Sequence, residues 1–98
     1  MRPTVEREGN RMRLTLVGSA HLGGLPDLEQ TLRTAVADVN VGDDVTIDLD
    51  GLTAIHDAAI GLLGGTIVDI NAKRGVAQVI CQHGPTLDRI LAISKALS

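Results

Sequence analysis

The chain has 98 residues, 44% of them hydrophobic, and a formal net charge of −3 at neutral pH. Phe, Tyr and Trp are all absent, which excludes aromatic cages and the ring platforms on which single-strand nucleic-acid readers stack bases. At this length the expectation is a single domain over residues 1–98, burying roughly 60–70% of its unfolded surface in a core built from 13 Leu, 9 Val, 8 Ile and 10 Ala.

Four of the nine basic residues, Arg2, Arg7, Arg11 and Arg13, fall within the first 13 positions. Their alternation with other side chains suits a solvated strand face rather than a nucleic-acid or lipid footprint. No apolar run approaches the roughly 20 residues that cross a bilayer, and residues 1–13 are too charged for a signal peptide. The lone Cys81 cannot form an intramolecular disulfide, in keeping with a reducing compartment. The expectation is a soluble cytoplasmic protein that binds no nucleic acid and does not insert into a membrane.

Residues 4–8 and 11–17 flank Gly9-Asn10, a pair suited to a two-residue hairpin turn. Met12, Leu14 and Leu16 alternate with Arg11, Arg13 and Thr15, the pattern of a strand with one wet face. After a glycine-containing stretch at 18–24, read as flexible, Leu25, Leu28, Leu32, Ala35, Val36 and Val39 recur at helical spacing behind Pro26 and Asp27. Residues 44–49 form a short β-branched strand, closed by Asp50-Gly51 before a second apolar patch at 52–55. From Asp57 the period lengthens again, with Ile60, Leu63, Ile67 and Ile70 on one side of a helix that stops at Lys73-Arg74-Gly75. Residues 76–81 read as a strand, and Gly84-Pro85 opens a last helix that turns Leu87, Ile90 and Leu91 inward.

The order β-β-α-β-α-β-α predicts an α/β fold, a small mostly parallel sheet with an N-terminal hairpin and right-handed βα crossovers. Neither His56-Asp57 nor Cys81 with His83 supplies the three or four ligands of a metal site. The glycines at 61, 64 and 65 fit neither phosphate-loop spacing and point instead to close packing of helix on sheet. No cofactor motif is present. Asp57 is placed to cap its helix by accepting from the N–H of Ala59 or Ile60.

Residues 44–63, DVTIDLDGLTAIHDAAIGLL, resemble the signature of the STAS family, the sulfate transporter and anti-sigma factor antagonist domains. In that family a strand ending in Asp-Leu, here Asp48-Leu49, is followed by a short apolar link, here residues 52–55. An Asp-Ser-Ser-Gly-Leu-like sequence then opens a helix, and Asp57-Ala58-Ala59-Ile60-Gly61 stands in its place. Residues 18–21 resemble the family's Gly-x-Leu-Asp exit from the second strand, and residues 88–91 its final Leu-rich helix. The likeness covers nearly the whole chain.

The resemblance implies a bacterial binding module rather than an enzyme. Its antagonist branch docks on an anti-sigma factor that is also a kinase, and the kinase switches partners by phosphorylating a Ser or Thr in the motif. Ala59 stands at that phosphoacceptor position, Ala58 where a second hydroxyl is common, Ile60 where Gly is usual, and His21 where the antagonist branch often carries Asp. An alanine methyl cannot accept phosphate, so the implied protein is an anti-sigma factor antagonist-like module without that switch. Its expected contact residues are His21, His56, Asp57, Ala58, Ala59, Ile60 and Leu62. An alternative within the family is a subunit of an ABC-type lipid transporter that docks on the ATPase. A receiver-like phosphotransfer domain using Asp48 or Asp50 lacks the acid pair, hydroxyl and Lys that its other strand ends would need. Family members commonly continue into another strand and helix, so the sheet edge here is left to a minimal domain, a partner or a homodimer.

Overall fold

All 98 residues are described in a computed structural model. Gly9 adopts a φ of +60°, which lets the Gly9-Asn10 turn join β1 (Arg2–Glu8) to β2 (Arg11–Ala20) with Glu8 opposite Arg11. A short 3₁₀ turn (Leu22–Gly24) leads into α1 (Leu25–Ala37), followed by β3 (Asp44–Ile55), α2 (Asp57–Ala72), β4 (Val76–Ile80) and α3 (Gly84–Leu97). The sheet order is β1-β2-β3-β4, antiparallel in the hairpin and parallel thereafter. The β-β-α-β-α-β-α arrangement is the one expected from the hydrophobic periods.

Because the strands advance in one direction and crossovers share one hand, the helices lie on the same face of the sheet. Met12, Leu14 and Leu16 of β2 sit beside Val45, Ile47 and Leu49 of β3, and all six are buried against Leu28, Leu32, Ile60, Leu63, Ile67, Ile70 and Ile90 of the helices. On the opposite face Arg11, Arg13, Thr46, Asp48 and Gln78 meet solvent, and Arg13 pairs with Asp48. The core contains no ring, so its layers close by branched aliphatics and by near contact of backbones. The glycines of α2 do not pack on the sheet as expected: at Gly64 a Cβ would stand 2.9 Å from Ile93 Cβ and 3.2 Å from the Ile90 carbonyl oxygen of α3, while at Gly61 and Gly65 it would meet nothing within 4 Å.

Four further local expectations are corrected, one of them in α3, where Leu91, expected to turn inward, is exposed. β3 does not stop at Asp50-Gly51 but runs to Ile55. Three steps on β3, Asp48 to Gly51, match two on β2, Thr15 to Val17, and a second shift follows at Gly18/Ser19. Bulges of this kind let the strand bend and continue. Gly51 permits the close approach, since a Cβ there would meet Val17 Cγ2 at 2.9 Å and the Leu16 carbonyl oxygen at 3.2 Å. The stretch after residue 17 is strand as far as Ala20, because the longer β3 offers it a partner, and the 3₁₀ turn follows.

The end of α2 is also built differently. Gly75 N–H donates to the Ile70 carbonyl at 3.0 Å and Arg74 N–H to that of Asn71 at 2.9 Å, a Schellman closure whose left-handed residue is Arg74, at φ 62°. Gly75 is needed for space: its Cβ would lie 2.9 Å from Val39 Cγ1. Lys73 serves the neighbouring helix, donating from Nζ to the carbonyls of Val36 (2.7 Å) and Ala37 (3.0 Å) at the end of α1.

Asp43, in the loop before β3, is buried. Its Oδ2 accepts from Arg7 Nη2 at 2.9 Å and from Asn40 N–H at 2.8 Å, and Arg7 also holds Asp38 at 3.1 Å. This charge cluster ties the hairpin edge to the end of α1. The Arg7 guanidinium foremost, then the Asn40 amide, hold the Asp43 carboxyl below its ordinary range.

Candidate functional site: the helix-start edge of the sheet

β2, β3 and β4 end at the same edge, and each is followed by a histidine that begins the next turn or helix: His21, His56 and His83. The peptide joining Ile55 to His56 continues the ladder, with His56 N–H donating to the Ala20 carbonyl at 2.7 Å. His21, the next residue after Ala20, therefore stands beside His56 at the ends of adjacent strands, and its imidazole lies over Gly23.

The cap of α2 is His56 and not Asp57. His56 has extended backbone angles (φ −79°, ψ 149°), and its Nδ1 accepts the Ala58 N–H at 3.0 Å. Asp57 is already helical, and its carboxylate turns outward to Arg89 Nη1 of α3 at 2.9 Å. That guanidinium is the main reason the Asp57 carboxyl is held below its ordinary range. The pair is exposed and adds little to stability; it joins the first residue of α2 to the second turn of α3.

The expected contact residues divide by burial. His21, His56, Asp57 and Ala58 are exposed and Leu62 is partly so. Ala59 and Ile60 are 0% and 1% exposed and belong to the core, because they fall on the side of α2 that packs against the sheet. The surface expected from the motif is accordingly narrowed to five residues, and of the two alanines in the first turn the accessible one is Ala58. Leu22, in the 3₁₀ turn, is exposed at the same edge.

Sequence reasoning missed Arg89 and Asp50 as members of this edge. Asp50 Oδ1 accepts the Gln82 N–H at 2.9 Å, closing the start of the β4–α3 link over a cleft of about 470 Å³ lined by Leu52, Ile55, Cys81, His83 and Thr86 among others. Neither contact leaves a local signature, since each joins residues 32 positions apart. Cys81 is partly buried, with Sγ 3.5 Å from the His83 carbonyl oxygen. No group of three metal-ligating side chains converges anywhere in the molecule, and no helix is long and apolar enough to cross a membrane.

No family model and no curated protein matches the sequence. Among solved structures, an anti-sigma factor antagonist from Mycobacterium paratuberculosis superposes with a TM-score of 0.74 at 18% identity, over 97% of this chain and 80% of that one. The Bacillus cell fate determinant SpoIIAA in its phosphorylated form gives 0.71 at 16% identity, over 95% and 83%. A crystal structure of Mglu gives 0.69 at 23% identity over 83% of this chain, which spans only 20% of the Mglu chain. The chain thus has the STAS-like fold of the anti-sigma factor antagonists, as the motif between Asp44 and Leu63 implied.

Proposed function

We propose that the chain is a regulatory protein-binding module of the anti-sigma factor antagonist type, docking through the edge formed by His21, His56, Asp57, Ala58 and Leu62, and not controlled by phosphorylation at the start of α2. The observation that carries this reading is the coincidence of the fold with residues 54–64, which contain no Ser, Thr or Tyr. A hydroxyl in a first helical turn is a natural switch, because phosphate there meets unpaired N–H groups and the positive end of the helix dipole. Here the switch point is a methyl group. The exposed His, Asp and Arg side chains of this edge serve as caps and an ion pair, an arrangement suited to recognition rather than to turnover.

The test uses an anti-sigma factor of the kinase type and ATP. Binding should occur, and mass spectrometry should find no phosphate on residues 54–64; phosphate there would overturn the reading. Ala58→Asp places a carboxylate at the exposed position, where a helix N-terminus tolerates it, and should weaken binding by about ten-fold without loss of fold. Ala59→Asp is no substitute, since it would bury a carboxylate in the core. Capture of an ABC-type ATPase in place of the anti-sigma factor would transfer the docking edge to the transporter alternative.

A further inference from the structure

The histidines at 21, 56 and 83 are all the histidines of the chain, and each holds an N-cap position. Helix caps are ordinarily Ser, Thr, Asp or Asn, whose oxygens still accept hydrogen bonds at mildly acidic pH. An imidazole does not share that property. Nδ1 of His56 accepts the Ala58 N–H at 3.0 Å, and Nδ1 of His83 accepts the Thr86 N–H at 3.3 Å while facing the Thr86 hydroxyl at 2.7 Å. A ring nitrogen accepts only while it carries no proton.

We propose that His56 is an acid-sensitive latch on the first turn of α2, and that His83 is a weaker latch on α3. Protonation withdraws the acceptor from the Ala58 N–H and sets a cation at the positive end of the helix, two changes of the same sign. The two caps differ in what remains afterwards. Protonated His83 donates to the Thr86 hydroxyl and keeps one contact with the turn. His56 is followed by Asp57, Ala58 and Ala59 and has no hydroxyl to turn to.

The charged and titratable groups around each ring are few. Beside His56 are the Asp57 carboxylate, held by Arg89 of α3, and at the end of neighbouring β2 the backbone of His21, whose ring lies over Gly23. A protonated His56 competes with Arg89 for that carboxylate, which loosens the contact between the start of α2 and α3. Around His83 are Asp50 of β3 and Cys81, which line the same cleft, with Asp88 and Arg89 in the next turn of α3. The latch is a property of the fold and stands whether or not the edge docks on a protein.

The experiment is amide hydrogen exchange on the ¹⁵N-labelled chain between pH 8 and 5, with the histidine ring protons followed in parallel. After correction for intrinsic exchange, protection of the Ala58 amide should fall about five-fold as the His56 ring titrates, which is the ~1 kcal/mol of a typical cap converted through RT. Thr86 should fall by less, and the Leu63 amide inside α2 should not change. In His56→Asn, whose amide oxygen accepts without titrating, Ala58 should lose its pH dependence while Thr86 keeps its own. Unchanged Ala58 protection across the His56 titration would overturn the proposal, as would a dependence that persists in His56→Asn. If that variant fails to fold, the coincidence of the wild-type ring and amide titrations decides.

Discussion

Replacing the glycines of α2 by alanine should change stability in opposite directions at positions a single turn apart. At Gly61 and Gly65 an added Cβ meets nothing within 4 Å, so the helix gains the difference in propensity between Gly and Ala, about 1 kcal/mol at each site. At Gly64 the new Cβ would lie 2.5 Å from Ile93 Cγ2, 2.9 Å from Ile93 Cβ and 3.2 Å from the Ile90 carbonyl oxygen. A rotamer change relieves only the first of these. The other two atoms move only with α3 itself, which places the substitution near the upper end of overpacking costs, about 3 kcal/mol, against the same propensity gain of about 1 kcal/mol. The net loss of about 2 kcal/mol corresponds to a fall in Tm of about 8–10 °C in a domain of this size, whereas Gly61→Ala and Gly65→Ala should each raise Tm by about 4–5 °C. Thermal unfolding followed by far-ultraviolet circular dichroism is the assay, since a chain without Trp or Tyr has no useful intrinsic fluorescence. A Gly64→Ala variant as stable as the wild type would refute the close contact of α2 with α3, and a destabilised Gly61→Ala would show that its open side is filled.

Arg74→Gly removes a side chain from a left-handed backbone position and should stabilise the domain by roughly 1 kcal/mol, read as a higher denaturation midpoint in urea at unchanged slope. Gly75→Ala at the next position should lower that midpoint, because its Cβ meets Val39 and Ile70. The carboxyls of Asp43, Asp48 and Asp57 are held below their ordinary range, respectively by Arg7, by the Asp50 N–H with Arg13, and by Arg89. A carboxyl whose folded pKa is depressed contributes stability that is complete above the unfolded value of ~4 and is lost as pH falls through the folded value. Tm measured against pH should therefore show an acid limb below pH ~4, shallower in Asp43→Asn. A limb of equal slope in that variant would exclude the Arg7 cluster as its source. Ala59→Asp should unfold at far lower temperature than Ala58→Asp by the same dichroism signal, and similar values would contradict the division of the two alanines between core and surface.

The periods of β2 and α2 carried most of the architecture, because both elements bury one side. Met12, Leu14 and Leu16 could alternate only against a covered face, and Ile60, Leu63, Ile67 and Ile70 only along a helix lying on it. What escaped the sequence was set by contacts between distant residues. Asp50-Gly51 has the composition of a turn, and only the proximity of Leu16 and Val17 makes a glycine in mid-strand necessary. The Asn40 N–H is a local partner of Asp43, but the opposite charge that lets its carboxylate be buried comes from Arg7, 36 residues away. At the candidate site, the motif correctly implied a helix opening at Asp57, but not which side chain caps it. Asp outranks His as a cap in isolation, yet the cap falls one residue earlier than expected, so that His56 accepts the Ala58 N–H while the Asp57 carboxylate faces Arg89.

The absence of aromatic rings bears on the proposed docking edge as much as on the core. Protein interfaces commonly anchor on Trp, Tyr or Arg seated in pockets, and this edge offers only Arg89, Leu22 and Leu62 beside small or polar groups. With so little side chain to present, a partner docking at Ala58 and Gly61 as proposed would meet the helix backbone itself, since nothing of the chain's own stands over Gly61. A surface of that kind depends on the exact course of the first turn more than a surface of large anchors does. The residue that holds this turn is His56, whose acceptor nitrogen is lost on protonation. Under the function and the latch proposed above, control of this helix start would rest with the cap rather than with the motif.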